Sequence, residues 1–170
     1  MDKWLRYYRK CSFEAYTGTN TENLCILGKV YIRNRNIKLG KNVTLYPGVM
    51  LHGDGNIFIG DNTFLMNNTV VYSEKGYSVH IGNDCMIAAM CHIINSDHMM
   101  KVGEKMNGQG TVSENIRIED DVWLSSNVTI LKGSSIEEGS VIGAKALING
   151  HTDGNSIYIG VPGHKLRDRD

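Results

Sequence analysis

The stretch IEDDVWLSSNVTILKGSSIEEGSVIGAKALIN, residues 118–149, decides the fold. Aliphatic residues recur at every sixth position: Ile118, Leu124, Ile130, Ile136, Ile142 and Ile148. Four places after each stands a small or β-branched residue: Val122, Val128, Ser134, Ser140, Ala146 and Thr152. The three-and-four spacing of an amphipathic helix is missing, and so is strict strand alternation. A six-residue period with one aliphatic knob and one small corner residue suits a parallel β-solenoid. Three short flat strands then make a triangular coil of eighteen residues. Each aliphatic side chain points inward and stacks on the one a coil above. The class expected is all-β.

Toward the N-terminus the same hexads are clear at Leu39, Leu45 and Leu51. The phase slips by two at Ile57–Ile59, where GDGNIFIG reads as a tight turn with an insertion. It resumes at Ile59, Leu65 and Val71, slips by four at SEKGYSVH, and returns at Ile81, Ile87 and Ile93. Residues 99–116, MMKVGEKMNGQGTVSENI, carry no hexad and read as a loop extruded from the coil. Long loops in compact domains are usually functional. Trp4, Leu5, Tyr8 and Cys11 fall at helical spacing among Lys3, Arg6, Arg9 and Lys10. This short helix is expected to cap the open end of the solenoid, which otherwise exposes core and unpaired rungs. A basic helix on an anionic membrane is the sharper alternative. Asp2 and Glu14 dilute the charge, so the cap is favoured and membrane contact is not expected. One domain, 1–170, results: a capping helix within 1–20, the β-helix over 25–160, and a charged tail, 161–170, on the outside.

The chain has 170 residues, with 18 basic and 18 acidic side chains and no formal net charge. Neutrality argues against a nucleic-acid partner, whose affinity rests on neutralising phosphates. Pro is scarce at 2 and Gly abundant at 19, as expected of many turns between rungs paired by backbone hydrogen bonds. No apolar run reaches the roughly 18 residues that read as a membrane span, and MDKWLRYYRKCSFEAY has no continuous apolar stretch of a signal peptide. A cytoplasmic protein is expected by default. The cysteines Cys11, Cys25, Cys85 and Cys91 lack metal-type pairing; Cys85 and Cys91 take the fourth place of two hexads and read as small core residues.

The hexads IGNDCM, IEDDVW and IGAKAL, a His in an interrupting loop and a closing IGVPGHKLR together resemble the hexapeptide-repeat acyltransferases over roughly residues 25–167. The group they most resemble is the galactoside/maltose and surface-polysaccharide O-acetyltransferases, to which INSDHMM is also similar. The resemblance implies a left-handed parallel β-helix, a departure from the right-handed crossover rule. It also implies a homotrimer with active sites between subunits, and acetyl-CoA as cosubstrate.

Acetyl transfer to a hydroxyl needs a base, because an alcohol is a weak nucleophile at neutral pH, and histidine is the natural one. The resemblance places that role on His98, where the repeat breaks into the loop. Asp97 and Asn95 are candidates to orient its ring, and both are equally turn formers. Trp123 faces outward and is costly to expose; by resemblance it lines the acetyl-CoA channel. The resemblance also sets Ser126 and Ala144 along the pantetheine arm, where small residues let the ligand lie flat. Lys165 and Arg167 could pair with the cofactor's phosphates, although only Arg167 matches a family basic residue. Asn149-Gly150 stands where the family often has Thr-Lys, which weakens the expected phosphate contacts.

A sugar hydroxyl is the expected acceptor, with His80, Asn67 and Asn68 as candidate contacts. His80 lies eighteen residues before His98 and would stack beside it if no insertion intervened. That pairing raises a metal site as a rival, as in the trimeric β-helix carbonic anhydrases. Zinc hydration wants three His, and the characteristic His spacing is absent, so no metal is expected. Two further readings stay open: an N-acyltransferase acting on an amino sugar nucleotide, and a non-catalytic trimeric scaffold.

Overall fold

The computed structural model describes residues 3–170; Asp2, invoked above as diluting the helix charge, lies with Met1 outside the described residues. One helix, α1 (Lys3–Thr17), precedes a solenoid of short strands. The strands form three walls of eight, six and five, which the chain visits in turn through about seven coils, consistent with a left-handed β-helix. The hexads become vertical columns. Leu45, Leu65, Ile87, Leu124 and Ile142 line the inside of the first wall, and Leu51, Val71, Ile93 and Ile130 that of the second. Ile59, Ile81, Ile118 and Ile136 line the third. Burying each such side chain is worth roughly 1.5–3 kcal/mol. Cys85 and Cys91 are free and buried in the fourth-place columns, and burial pushes both thiols up to about 11.

Register fixes where the chain can vary. The step from first to second wall is six residues in every coil: Cys25 to Tyr31, Thr44 to Met50, Phe64 to Val70, Met86 to His92, Trp123 to Thr129, Val141 to Leu147. From third to first it is seven: Ile37 to Thr44, Ile57 to Phe64, Val79 to Met86, Ile116 to Trp123. Both corners turn on left-handed residues, Asn42, Asn62, Asp84 and Asp121 at one, and Asn68, Met90, Asn127 and Lys145 at the other. Asn and Asp take this conformation more readily than other side chains. At the second corner Gly48 (φ +81) takes the same role, and a Cβ there would stand 2.0 Å from Asn68 Oδ1. Amide side chains bond rung to rung up the other corner, from Asn23 to Asn42 (3.0 Å), Asn42 to Asn62 (2.8 Å) and Asn62 to Asp84 (2.9 Å).

All length variation falls at the corner between second and third walls. There the step is six residues (Tyr31 to Ile37), then seven (Met50 to Ile57), nine (Val70 to Val79) and twenty-four (His92 to Ile116). The slips of two and four residues read from the sequence are the second and third of these. The longest is the extruded loop expected at about 99–116. The chain leaves the wall earlier, and Ser96–His98 pairs antiparallel with Thr111–Ser113 around a tip that contains a single 3-10 turn, Met106–Gly108. A hairpin satisfies the backbone groups that a free loop of this length would leave to solvent. In the tail, His164–Asp168 is an exposed strand antiparallel to Ser156–Ile159, closing the first wall.

The helix packs by a different face from the one its sequence suggested. Phe13 is 3% exposed and joins the core, whereas Trp4, Leu5 and Tyr8 are exposed. The cause lies at the helix end. Glu14 accepts from the Thr21 amide (2.9 Å) and hydroxyl (2.7 Å), and Arg35 lies over the Tyr16 ring, 5.3 Å from its centroid. These contacts turn the Phe13 side onto the first coil.

A Gly-Ser insertion after Lys75, in the variable corner, should cost less than about 1 kcal/mol, because loop closure rises slowly with length. The same insertion between Ala88 and Ala89 should cost at least about 3 kcal/mol, since it breaks a fixed corner and its rung bonds. Urea titration of both variants measures the difference.

Candidate active site

His98 ends the first hairpin strand, opposite Thr111, at the corner where the chain is free to vary. Three devices hold the hairpin. At the tip, Gln109 is buried; its side-chain oxygen accepts from the Lys101 amide (2.6 Å), and its nitrogen donates to the Lys101 (3.2 Å) and Glu104 (3.1 Å) carbonyls. At the base, Ser113 donates to Ser96 (2.9 Å) and the Glu114 amide donates to the Asn95 carbonyl (3.1 Å). Lys132, one coil on, reaches the first hairpin strand and the residue that follows the second: its ammonium lies 3.3 Å from the Glu114 carboxylate and 3.8 Å from that of Asp97. Between hairpin and wall is an open cleft of about 400 Å³, with His98, Met100, Val112 and Lys132 among its lining. A larger one, of about 470 Å³, lies under α1 among Tyr8, Phe13, Tyr16 and the first coil. Its lining contains no histidine or carboxylate.

The two residues expected to orient His98 are engaged elsewhere. The Asn95 side chain is wholly buried, accepts from the Glu74 amide (2.8 Å) and donates to Ser73 Oγ (3.3 Å) and the Ser78 carbonyl (3.5 Å). It ties the 73–77 turn to the coil above. Asp97 turns toward Lys132, and neighbouring strand residues face opposite ways. Among the described residues neither forms a hydrogen bond to the His98 ring. Gln109 and Lys132, which do hold the hairpin, carried no signal in the repeat pattern, because Gln109 stands outside the hexads and Lys132 at a hexad place that is neither the aliphatic knob nor the small corner residue.

His80 does not stack on His98. It sits on the outer face of the third wall, in register with Phe58 on one side and Arg117 on the other, because the hairpin carries His98 off the wall. Its Nδ1 is buried with no hydrogen-bond partner. His92 faces outward from the second wall, in register with Val70 and Thr129. Among the described residues no group of three His, Cys, Asp or Glu could hold a metal ion. Asn68 is one of the left-handed corner residues, with Asn67 beside it in the same turn.

The corner between first and second walls brings other candidates together. Backbone bonds stack Asn67 under Met90 (2.9 Å), Ala89 under Asn127 (3.0 Å) and Ser126 under Lys145 (3.0 Å). Asn67, Ala89, Ser126 and Ala144 thus form one vertical column, its last three members small. The column runs up to the 160–163 turn, where the Leu147 amide donates to Gly160 (3.0 Å) and the Gly163 amide to Leu147 (2.7 Å). Trp123, 43% exposed, stands on the adjoining outer face of the first wall, between Met86 and Val141. Lys165 follows in the tail, paired with Asp168 (2.7 Å) and Asp153 (2.9 Å), and Arg167 pairs with Asp170 (2.8 Å). Surface pairs of this kind are worth little and exchange readily.

Residues 115–150 match the family model for the bacterial transferase hexapeptide (six repeats). A candidate lipopolysaccharide biosynthesis O-acetyl transferase of Escherichia coli K12 is 34% identical over 143 residues, covering 78% of this chain and 72% of that one. The polysialic acid O-acetyltransferase of Neisseria meningitidis is 35% identical over 138 residues, covering 68% and 62%. The chain spans between 38% and 72% of the length of the first three curated relatives it matches. AntD, an N-acyltransferase from Bacillus cereus solved with dTDP-4-amino-4,6-dideoxyglucose and coenzyme A, superposes with a TM-score of 0.85. It is 20% identical, over 95% of this chain and 89% of that one, and so speaks to the fold.

Gln109→Ala should loosen the hairpin without unfolding the solenoid. Hydrogen exchange of amides in 99–110 should quicken at least about tenfold, from loss of three hydrogen bonds at a buried amide. The core rungs around Ile130 should exchange at their original rates.

Proposed function

The chain belongs to the hexapeptide-repeat acetyltransferases, and from that premise we propose that it is an acetyl-CoA-dependent O-acetyltransferase acting on a hydroxyl of a sugar or surface polysaccharide. The observation that carries this reading is His98, held at the rim of an open cleft by a stapled hairpin, at the corner where coil length varies. Excursions of a solenoid collect on its binding face. The named acceptors of its relatives, lipopolysaccharide and polysialic acid, support a sugar hydroxyl.

His98 acts as general base. Its ring takes the proton from the acceptor hydroxyl as that oxygen attacks the thioester carbonyl carbon. The carbon–sulfur bond breaks, and the imidazolium returns the proton to the departing thiolate. The products are an acetyl ester and the free thiol. Such a base supplies typically ~10²–10⁴-fold in rate. The Ala89–Ser126–Ala144 column fits an extended pantetheine arm, since small side chains leave the corner flat. Trp123 would border that arm, and Lys165 and Arg167 stand near its far end, where phosphates would lie.

This column and His98 occupy opposite edges of the second wall, roughly 15–20 Å apart for six extended residues. A second copy that lays its column against a neighbour's His98 corner completes the site. Closed threefold symmetry does so for every copy at once, so the working form is a homotrimer.

His98→Ala should lower kcat at least tenfold, within the ~10²–10⁴ of general-base catalysis, with little change in melting temperature. Coenzyme A should still stabilise the variant in a thermal shift. His80→Ala should change the acceptor KM moderately at most. A His98→Ala enzyme that keeps more than about a tenth of kcat removes His98 as the base. Hydroxylamine-labile acetyl product identifies an ester; a stable amide would assign the same cleft to an amino sugar.

Ala144→Trp should raise the KM for acetyl-CoA while sedimentation still shows a trimer, because Ala144 is exposed at the corner and absent from the core. An unchanged KM takes Ala144 out of the cofactor path.

A further inference from the structure

The bonds that shape the hairpin join it to itself. Ser96–His98 pairs with Thr111–Ser113, the Met99 amide donates to the Gly110 carbonyl (3.1 Å), and Gln109 ties the tip. They make 96–113 a stiff unit and leave open the angle at which it stands off the wall. Asn95 fixes its root from the preceding coil. A unit held at its root alone swings as a whole, and His98, three residues out, swings with it.

Lys132 supplies a second point of support. It stands in the following coil, directly after the strand Thr129–Leu131. Its ammonium meets Asp97, the residue before His98, and Glu114, the residue after the returning strand. The Lys132 side chain is 20% exposed, so its stem lies along the cleft and holds the charge close to both partners. Beside it, Gly133 (φ +75) leaves room for the same carboxylate: a Cβ there would stand 2.7 Å from Glu114 Oε2. The two carboxylates are well exposed, so this network adds little to the stability of the solenoid. What it fixes is a direction.

We infer that Lys132 is a positioning residue for His98. Paired with Asp97 and Glu114 at once, it sets the angle of the hairpin and so the place of the imidazole over the acceptor. A general base must stand about 2.6–3.2 Å from the hydroxyl it deprotonates, and a misplacement of about 1 Å can cost ~10²-fold in rate. The inference rests on the reading of His98 as that base.

Steady-state kinetics of Lys132→Met, Lys132→Arg and Lys132→Met combined with His98→Ala test it. Lys132→Met should lower kcat at least about tenfold, with the acetyl-CoA KM and the melting temperature unchanged. Lys132→Arg keeps the charge and should recover most of the loss. Asp97→Asn removes the partner's charge, keeps its shape and should lower kcat in the same sense. Added to His98→Ala, Lys132→Met should change kcat by less than about twofold, because no base is left to position. A Lys132→Met enzyme that keeps more than about half of kcat, or that shows its full loss again in the His98→Ala background, overturns the inference. So does a loss confined to the acceptor KM, the mark of a substrate contact. A His98→Ala enzyme that keeps its kcat removes the base reading and this inference with it; a Lys132→Met enzyme that keeps its kcat beside an impaired His98→Ala removes this inference alone.

Discussion

Every rung of this solenoid must return to the same height beneath the rung above, because its backbone amides and carbonyls bond there and nowhere else. That closure rule governs the rest of the molecule. Two corners satisfy it with a fixed count of residues and a left-handed residue in nearly every coil: Asn62 or Asp84 at one, Asn68 or Asn127 at the other. A corner built this way cannot absorb an extra residue without losing its bonds. At the third corner the left-handed residues, Gly53, Gly76 and Gly133, fall at a different place in each turn, and the surplus chain is expelled there.

Function follows from where the surplus goes. The 53–55 turn, the 73–77 turn and the hairpin leave the same corner on consecutive coils, so they form one continuous relief beside the cleft. Asn95 couples the relief to the wall, bonding the 73–77 turn on one side and, through its carbonyl, the hairpin on the other. Lys132 couples it from the coil above. His98 is thus fixed by groups from three coils, although it lies outside all of them. The cofactor column needs the opposite quality: a corner of constant length and small side chains, straight from Ala89 to Ala144.

Much of this was legible in the sequence, and the reason is the period itself. Six-residue spacing of Ile and Leu maps onto inward columns because each coil is stacked in register, so the spacing alone places Leu124, Ile142 and their neighbours inside. The slips of two and four residues were legible for the same reason. What escaped was chemistry off the period. Asn95 reads as a loop polar residue beside His98, but burial makes it a structural clasp. Gln109 and Lys132 have no partner visible in the linear pattern. The helix was read by its most apolar stripe, whereas the Glu14–Thr21 contact sets which side meets the coil. The pairing of His80 with His98 failed because eighteen residues equal one coil only while the chain stays on the wall.

The hairpin also has a kinetic meaning. Strands Met86–Ile87 and Trp123–Leu124 pair across thirty-seven residues, against eighteen in the following coil. A bare loop of that length would make this the slowest rung to close, because contacts distant in sequence form late. But residues 96–113 fold on themselves, and the Glu114 amide meets the Asn95 carbonyl at 3.1 Å. Removing those eighteen residues from the thirty-seven leaves nineteen, almost an ordinary coil. Once the hairpin zips, propagation of the solenoid passes the insertion as though it were absent.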